Sequence, residues 1–266
     1  MLSALYELTK PLLFRVDPET AHERAVELLR NAPQLPGALR VLRALADAPS
    51  RPTTLAGIPL RNPVGLAAGF DKNAELVPAI AALGFGFVEV GTLTWLAQPG
   101  NPRPRLFRYP EHRALVNRLG FNNIGIANGA RHLERLRDRP IPIGINIGKS
   151  AKTPLEEAAA EYALSLERVV GLGDYYALNI SSPNTADLRK LHEPERLLQL
   201  FDAISGVRDR RKIDQPIFLK VSPDAEDEDL VRVAKAAKSR GFGLIATNTT
   251  VKREGELASL EAGGLS

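Results

Sequence analysis

The sequence predicts an α/β fold of the (β/α)8 TIM-barrel type with an N-terminal helical hairpin. From Thr53 onward, six short apolar runs alternate with helix-like stretches, which is the pattern of repeated strand–helix units. A polar cluster follows each apolar run, and in a barrel the carboxyl ends of all strands converge on one rim. A doubly wound sheet would instead concentrate the polar residues at one switch point. With 266 residues, 44% of them hydrophobic, the chain is long enough for a large core.

Residues 1–45 are predicted to form a helical segment of their own, and residues 46–266 the barrel. A strongly apolar first segment should be broken at Pro11, since proline disrupts a helix interior. Asp17 and Pro18 then supply an N-cap and a first-turn proline for a second helix that ends near Arg30. Two short helices with excess apolar surface indicate a hairpin that packs on the barrel or dips into a membrane surface.

The barrel is predicted from six strands and the helices between them. The strands are Val64–Leu66, Phe87–Val90, Ile143–Ile145, Tyr176–Leu178, Ile217–Val221 and Leu244–Ala246. The helices are Ala74–Leu83, Pro154–Gly171, Glu193–Val207 and Glu226–Arg240. Gly84 and Gly241 can each cap a helix just before a strand. A complete barrel has eight strands, so we expect a truncated chain that lacks the last two strand–helix units.

A long insertion follows the second strand. Residues 93–142 are too many for a bare loop, and Arg103–Tyr109 and Ala114–Asn117 are predicted to be short strands within it. Such an insertion over the rim would act as a lid.

Composition excludes several functions. The chain has no cysteine, and its 4 histidines lack any metal-binding spacing, so no metal site is expected.

The net charge of +4 favours anionic partners. The basic run Arg208–Lys212 lacks interleaved aromatic residues, however, and is interpreted as a solvated helix end, not a nucleic-acid site. Leu76–Val88 is too short to span a bilayer. Ile143–Ser150 is no P-loop, because one residue is missing between its glycines.

The candidate catalytic cluster is Asn179–Thr185, which directly follows an apolar strand. Ser182 is the candidate base, since no thiol is present. Lys220 interrupts another apolar strand and needs a partner, for which a flavin is favoured over a structural carboxylate such as Asp71 or Asp224. Five asparagines near the predicted rim suit a planar amide or imide ring: Asn117, Asn146, Asn179, Asn184 and Asn248.

Seven stretches resemble dihydroorotate dehydrogenases of the quinone-dependent, membrane-associated class. They are Asn62–Lys72, Gly91–Thr94, Gln98–Pro102, Arg105–Arg108, Asn117–Asn123, Asn179–Thr185 and Ala246–Thr250. The resemblance implies an FMN-containing barrel that oxidises dihydroorotate to orotate in pyrimidine biosynthesis, with a quinone as final electron acceptor. The cytosolic classes use a cysteine as base, so its absence supports the quinone class.

The resemblance also implies roles for individual residues. Ser182 would remove the C5 proton of the substrate. The residues implied in FMN binding are Ala68, Gly69, Phe70, Asp71, Lys72, Thr92, Asn146, Asn179, Lys220 and Thr247. Those implied in substrate binding are Lys72, Asn117, Arg118, Leu119, Gly120, Phe121, Asn179, Asn184, Asn248 and Thr249. His22 and Arg108 would contact the quinone.

The same resemblance implies a monomer bound peripherally to the cytoplasmic side of a bacterial inner membrane, or to the mitochondrial inner membrane if the source is eukaryotic. Contact with nucleic acid is not expected. One departure is that the family's phosphate-binding glycines belong to the seventh and eighth strand units, beyond Ser266. The alternatives are another FMN barrel acting on pyrimidines, of the dihydrouridine synthase kind, and a basic binding module without catalysis.

Overall fold

The computed structural model describes residues 2–46, 48–182, 184 and 188–266, without the side chains of residues 2–5 and 259. Pro183 and Thr185 of the Asn179–Thr185 cluster therefore lie outside the described residues. The α-helices are α1 (Leu2–Leu13), α2 (Pro18–Asn31), α3 (Ala38–Ala46), α4 (Val77–Ala82), α5 (Ile126–Glu134), α6 (Ala158–Val169), α7 (Pro194–Arg211) and α8 (Asp227–Ser239). The strands are β1 (Thr53–Leu55), β2 (Ile58–Leu60), β3 (Gly65–Leu66), β4 (Phe87–Thr94), β5 (Leu106–Tyr109), β6 (Ala114–Asn117), β7 (Ile143–Gly148), β8 (Tyr175–Asn179), β9 (Ile217–Lys220), β10 (Gly243–Ile245) and β11 (Gly264–Leu265).

The main sheet follows the order of a (β/α) barrel. In the described part of the chain its six parallel strands lie in the order β3-β4-β7-β8-β9-β10, so that each strand pairs with the next one along the chain. All six predicted strands are confirmed. The left-handed φ values of Gly84 (90°) and Gly241 (72°) confirm the predicted caps before β4 and β10.

Aromatic rings and glycines interlock on one face of this sheet. A Cβ on Gly65 would lie 2.2 Å from Phe87 Cζ, one on Gly144 would lie 2.0 Å from Tyr175 Cζ, and one on Gly243 would lie 2.4 Å from Phe218 Cδ1. Each pair occupies adjacent strands in register. Large and small side chains therefore alternate around the curved sheet, as in the layered interior of a barrel.

The N-terminal helices differ in part from the prediction. Asp17 caps α2 as predicted, since its Oδ1 accepts a hydrogen bond of 2.9 Å from the Thr20 amide. The predicted break at Pro11 is wrong, because α1 continues through this residue to Leu13. Pro11 has no N–H to donate to the carbonyl of Glu7, so one helical hydrogen bond is lost, and α1 ends two residues later. Helix α3 was not predicted; Leu39 and Leu42 attach it to the core.

The insertion after β4 contains both predicted strands. β5 and β6 pair antiparallel, and β11 adds to β6, which gives a small sheet over one end of the barrel strands. Across the described residues, every helix is too short or too polar to cross a membrane.

Candidate active site

A cavity of about 690 Å³ opens at the carboxyl ends of the parallel strands. Residues at or after the ends of β3, β8, β9 and β10 line it, together with Thr92 within β4, and the small antiparallel sheet contributes Leu106, Leu115, Asn117 and Leu265. The volume lies in the range of small-molecule sites. The predicted convergence of polar strand ends on one rim is confirmed for five of the six strands, since none of the described lining residues comes from β7, and the insertion forms one wall.

The floor of the cavity is a network of amides and hydroxyls. Asn179 Nδ2 donates to Thr92 Oγ1 (3.1 Å) and to Asn146 Oδ1 (3.3 Å), and Thr92 Oγ1 donates to the same Asn146 oxygen (2.6 Å). These side chains come from β4, β7 and β8. Hydrogen bonds in three directions fix their rotamers, so the floor is rigid before any ligand arrives.

A buried carboxylate lies beneath this floor. Glu89 is 4% exposed, and its Oε1 accepts hydrogen bonds from Asn146 Nδ2 (2.8 Å) and Lys220 Nζ (3.4 Å). Tyr175 donates its hydroxyl to Oε2 at 3.1 Å. Burial, followed by the negative charge of Glu89, raises the pKa of Tyr175, so the phenol stays protonated and acts as a donor. The partner of Lys220 is thus Glu89, not Asp71 or Asp224.

Ser182 lies at the edge of the cavity, where it is 5% exposed. Its Oγ accepts a hydrogen bond of 3.3 Å from the backbone amide of Asn184. Asn184 Nδ2 in turn donates to the backbone oxygen (3.1 Å) and side-chain oxygen (3.3 Å) of Asn117 in β6. The loop that carries Ser182 is therefore tied to the wall formed by the insertion.

Asn248 joins a further strand end to the same loop. Its Nδ2 donates to Asn179 Oδ1 (3.2 Å) and to Ser181 Oγ (3.0 Å), while its own Oδ1 accepts from the Thr249 amide (2.8 Å). Four of the five predicted asparagines line the cavity, and the fifth, Asn146, supports its floor.

Lys72 and His22 form a pair at the side of the cavity nearest α2. Lys72 Nζ lies 2.8 Å from His22 Nε2. Burial, reinforced by the charge of Lys72, lowers the pKa of His22 to about 4, and burial lowers the pKa of Lys72 to about 8. At neutral pH the ammonium group of Lys72 therefore donates to a neutral imidazole.

Most of the implied ligand-binding residues line this cavity. Of the residues implied in FMN binding, those that line the cavity are Ala68, Gly69, Phe70, Lys72, Thr92, Asn179, Lys220 and Thr247. Of the residues implied in catalysis, substrate binding and quinone contact, those that line the cavity are Ser182, Asn117, Leu119, Gly120, Phe121, Asn184, Asn248, Thr249 and His22.

The side chains of Asp71, Arg118, Arg108 and Asn146 lie elsewhere. Asp71 accepts from the amides of Glu75 and Leu76 (2.9 Å each), which makes it a cap for the following turn. Arg118 stacks on Phe107 and pairs with Glu261 (2.8 Å).

Arg108 stacks on Phe14, with its guanidinium carbon 4.5 Å from the ring centre. It therefore contacts the N-terminal segment instead of the cavity. Asn146 is fully buried one layer below the cavity surface and supports its floor.

Sequence reasoning missed Glu89 and Tyr175. The available signal was the same one that identified Lys220, namely a charged residue inside an apolar strand, Phe87-Val88-Glu89-Val90. Two opposite charges embedded in two apolar strands of one sheet are expected to be partners.

The cavity suits a planar, anionic ligand. Among the described lining residues there are two lysines and no Asp or Glu side chain. Asparagine amides and backbone groups offer donors and acceptors to a ring, and a hydroxyl at Ser182 can receive a proton.

The comparisons with known proteins agree with this arrangement. A family model described as dihydroorotate dehydrogenase matches residues 51–266. A protein of Roseiflexus sp. named dihydroorotate dehydrogenase (quinone) is 46% identical over 271 residues, which cover 100% of this chain and 75% of that protein. A protein of Chloroflexus aurantiacus with the same name is 47% identical over 276 residues, covering 97% of this chain and 75% of its own length.

Solved structures extend the similarity to the fold. The crystal structure of DHODH from Eimeria tenella in complex with ferulenol superposes with a TM-score of 0.82 at 35% identity, over 94% of this chain and 72% of that chain. The ligand-free form from the same organism gives a TM-score of 0.81 at 36% identity.

Proposed function

Because the chain belongs to the dihydroorotate dehydrogenase family, we propose that it oxidises dihydroorotate to orotate in pyrimidine biosynthesis, with a flavin as hydride acceptor and a quinone as final electron acceptor. The observation that carries this proposal is the cavity at the strand ends, where Ser182 faces a ring of asparagines and two lysines with no acidic side chain among the described lining residues. A dihydroorotate anion matches that charge and those donors.

The flavin in this proposal is FMN. The cavity is large enough for a flavin ring, and Ala68 and Gly69, which have small side chains or none, form part of its lining. No atom lies within 4 Å of the position that a Cβ on Gly69 would take, so a flat ring has room beside this backbone. Lys220, Thr92, Asn179 and Thr247 would hold the ring. When bound, FMN supplies the hydride acceptor, and a buried cation near it favours its reduced, anionic form.

The chain itself binds the substrate and handles the proton. Ser182 Oγ receives the C5 proton, which the adjacent substrate carbonyl makes acidic. The hydroxyl proton of Ser182 passes to water at the same time, so the serine is neutral before and after the step, and the Asn184 amide, 3.3 Å from its oxygen, stabilises the negative charge that develops in between. Lys72 pairs with the substrate carboxylate, and the side chains of Asn117, Asn179 and Asn248 orient the ring.

The electrons leave through the side of the cavity next to the N-terminal helices. His22 lies on α2 and lines the cavity, so it is placed to contact a quinone head group there. Arg108 would act indirectly, by holding Phe14 of the N-terminal segment. Residues 1–45 would then provide quinone access and peripheral membrane contact for a monomeric enzyme, on the cytoplasmic side of a bacterial inner membrane or at the mitochondrial inner membrane.

The test is the absorption spectrum of the purified full-length protein. We expect a yellow flavin spectrum from which FMN is released on denaturation, bleaching on addition of dihydroorotate, and recovery on addition of a quinone. A colourless protein, or a flavin that dihydroorotate does not reduce, would overturn the proposal. Reduction by NADPH with activity on uridine in RNA would indicate the dihydrouridine synthase alternative.

A further inference from the structure

Glu89 is a buried hydrogen-bond acceptor within the sheet, and the groups that donate to it support the floor of the cavity. In β4 it lies between Val88 and Val90, which are fully buried in the hydrophobic core. An ionised carboxylate at 4% exposure is stable only if donors replace its lost hydration. Here three donors do so, from Asn146, Lys220 and Tyr175.

The strand register shows how Tyr175 reaches it. Glu89 pairs with Gly144, and Gly144 pairs with Tyr175, so the three residues form one row across β4, β7 and β8. The missing side chain of Gly144 lets the tyrosine ring pass over β7, because a Cβ there would overlap the ring at 2.0 Å. The contact between Tyr175 and Glu89 thus depends on a glycine in the intervening strand.

The two carboxylate oxygens have different partners. Oε1 receives both Asn146 Nδ2 and Lys220 Nζ, while Oε2 receives only the Tyr175 hydroxyl among the described contacts. The Oδ1 of Asn146 in turn accepts hydrogen bonds from Thr92 Oγ1 and Asn179 Nδ2, so the orientation of Asn146 determines the orientation of these two side chains. One oxygen therefore fixes the orientation of both a cation and an amide network that face the cavity.

We propose that Glu89 is a positioning residue that orients Lys220 and balances its charge, and thereby sets the reduction potential of the bound flavin. The proposal rests on the proposed function, in which Lys220 is the cation that faces FMN. An ammonium paired with a carboxylate attracts the anionic reduced flavin less than an unpaired one does. Glu89 therefore limits how strongly the site favours reduction, so that electrons can still pass on to the quinone.

The test is a double-mutant cycle with Glu89→Gln and Lys220→Met, read out as the midpoint potential of the bound flavin. Glu89→Gln keeps the size and removes the charge, so we expect a more positive potential, by at least about 30 mV, which is a tenfold shift in a two-electron equilibrium. Lys220→Met should shift it to more negative values. The double variant should have a less negative potential than Lys220→Met, because it also removes the carboxylate that Lys220→Met leaves unpaired, and the interaction term of the cycle reports how far Glu89 acts by orienting the lysine.

A second readout uses the protein without FMN. Each single substitution leaves one buried charge unpaired and should lower the Tm, whereas the double variant, with a neutral pair, should recover most of the loss. If Glu89→Gln fails to fold, Lys220→Met against the double variant reports only the effect of Glu89 without its lysine, and the comparison of Tyr175→Phe with Tyr176→Phe then tests the proposal.

Tyr175→Phe and Tyr176→Phe form a matched pair. Tyr175 donates to Glu89, whereas Tyr176, its neighbour on the opposite face of β8, accepts from the Gly171 amide (2.9 Å) and donates to the Val169 carbonyl (3.3 Å). We expect both to lower the Tm but only Tyr175→Phe to move the potential. Equal potentials in the two variants would contradict the proposal.

The two proposals fail in different ways. If the unmodified protein holds no FMN, or dihydroorotate does not bleach it, the proposed function is wrong. If the unmodified protein behaves as proposed but folded, FMN-loaded Glu89→Gln keeps the same potential, only the role of Glu89 is wrong.

Discussion

At the scale of single residues, Ser182 and Ser181 have different surroundings, which suit the proposed catalytic role of Ser182 and a structural role for Ser181. Ser182 lines the cavity and accepts from a backbone amide. Ser181 is fully buried, donates to Asn179 Oδ1 (3.2 Å) and accepts from Asn248 Nδ2 (3.0 Å). Adjacent hydroxyls in one loop thus have different exposure to the cavity and different hydrogen-bond partners.

Replacement of Ser182 by Ala is expected to slow flavin reduction by dihydroorotate by about 10²–10⁴-fold, since a positioned general base contributes that much. FMN should remain bound, because the lysine and amides of the floor are unchanged. The measurement is stopped-flow bleaching. Ser181→Ala is the control, and we expect it to cost about 1 kcal/mol of stability with far less effect on the rate. Equal rates in the unmodified protein and Ser182→Ala would remove Ser182 from its assigned role.

Lys72 gives the site a pH dependence whose sign follows from its environment. Burial disfavours the ammonium form and lowers its pKa to about 8 in the folded protein, against 10.5 ordinarily. The free protein therefore loses this positive charge as the pH rises through about 8. Binding of an anion such as orotate should weaken above that pH, by up to about tenfold per unit.

The measurement for Lys72 is orotate binding, followed by the flavin spectrum from pH 6 to 9. The Lys72→Arg variant keeps its positive charge over this range, so its affinity for orotate should not fall above about pH 8. The Lys72→Met variant should bind orotate weakly at every pH. A weakening that persists in Lys72→Arg would assign the pH dependence to another group.

The limits of sequence reasoning are also visible at single residues. Lys220 could be identified because a cation in an apolar strand needs a partner. Glu89 carries the same local signal, but whether its carboxylate reaches Lys220 depends on the order and register of the strands, which local sequence patterns do not give. Two strands, β7 and β8, separate Glu89 in β4 from Lys220 in β9, and the two residues are 131 positions apart in sequence. The strands themselves were predictable, because apolar runs and helix-capping glycines are local signals.

At the scale of elements, α2 is held to the insertion after β4 by a buried ion pair. Glu19 Oε1 accepts from Arg105 Nε (2.9 Å) and Nη2 (2.8 Å), and these side chains are 5% and 6% exposed. Arg105 Nη1 also donates to the carbonyls of Pro99 (2.6 Å) and Asn101 (2.7 Å) in the insertion. Because His22 lies one turn further along α2, this pair positions the contact between His22 and Lys72.

Glu19→Gln is expected to loosen α2, since removal of one partner from a buried pair costs about 3–5 kcal/mol. Amide hydrogen exchange within α2 should accelerate by about 100-fold or more, while exchange in β7 and β8 changes little. Glu23→Gln is the matched control, because Glu23 pairs with Arg103 at the exposed surface, where such pairs contribute about 1 kcal/mol or less. Equal acceleration in the two variants would show that the buried pair does not hold the helix.

At the scale of the whole molecule, apolar side chains are exposed along the N-terminal segment. Leu8 is 77% exposed and Leu12 64% exposed on α1, and Val41 on α3 is 57% exposed. The net charge of +4 adds a general attraction to anionic surfaces. Together these features support the proposed peripheral contact with a membrane, because apolar insertion and charge reinforce each other.

We expect the protein to sediment with vesicles that contain phosphatidylglycerol, and less with vesicles of phosphatidylcholine alone, because the second kind lacks the negative charge. Leu8→Ser combined with Leu12→Ser should weaken vesicle binding by about tenfold or more, since insertion of each leucine contributes up to about 1.5–3 kcal/mol.

The matched control for vesicle binding is Leu164→Ser combined with Leu198→Ser. Those leucines are 49% and 47% exposed on α6 and α7, which cover the outer face of the barrel sheet. If membrane contact is made by the N-terminal segment, this control should bind vesicles as the unmodified protein does, because it also replaces two exposed leucines but leaves that segment intact. Equal weakening in the two variants would show that binding follows total apolar surface instead, and the membrane role of residues 1–45 would then be wrong.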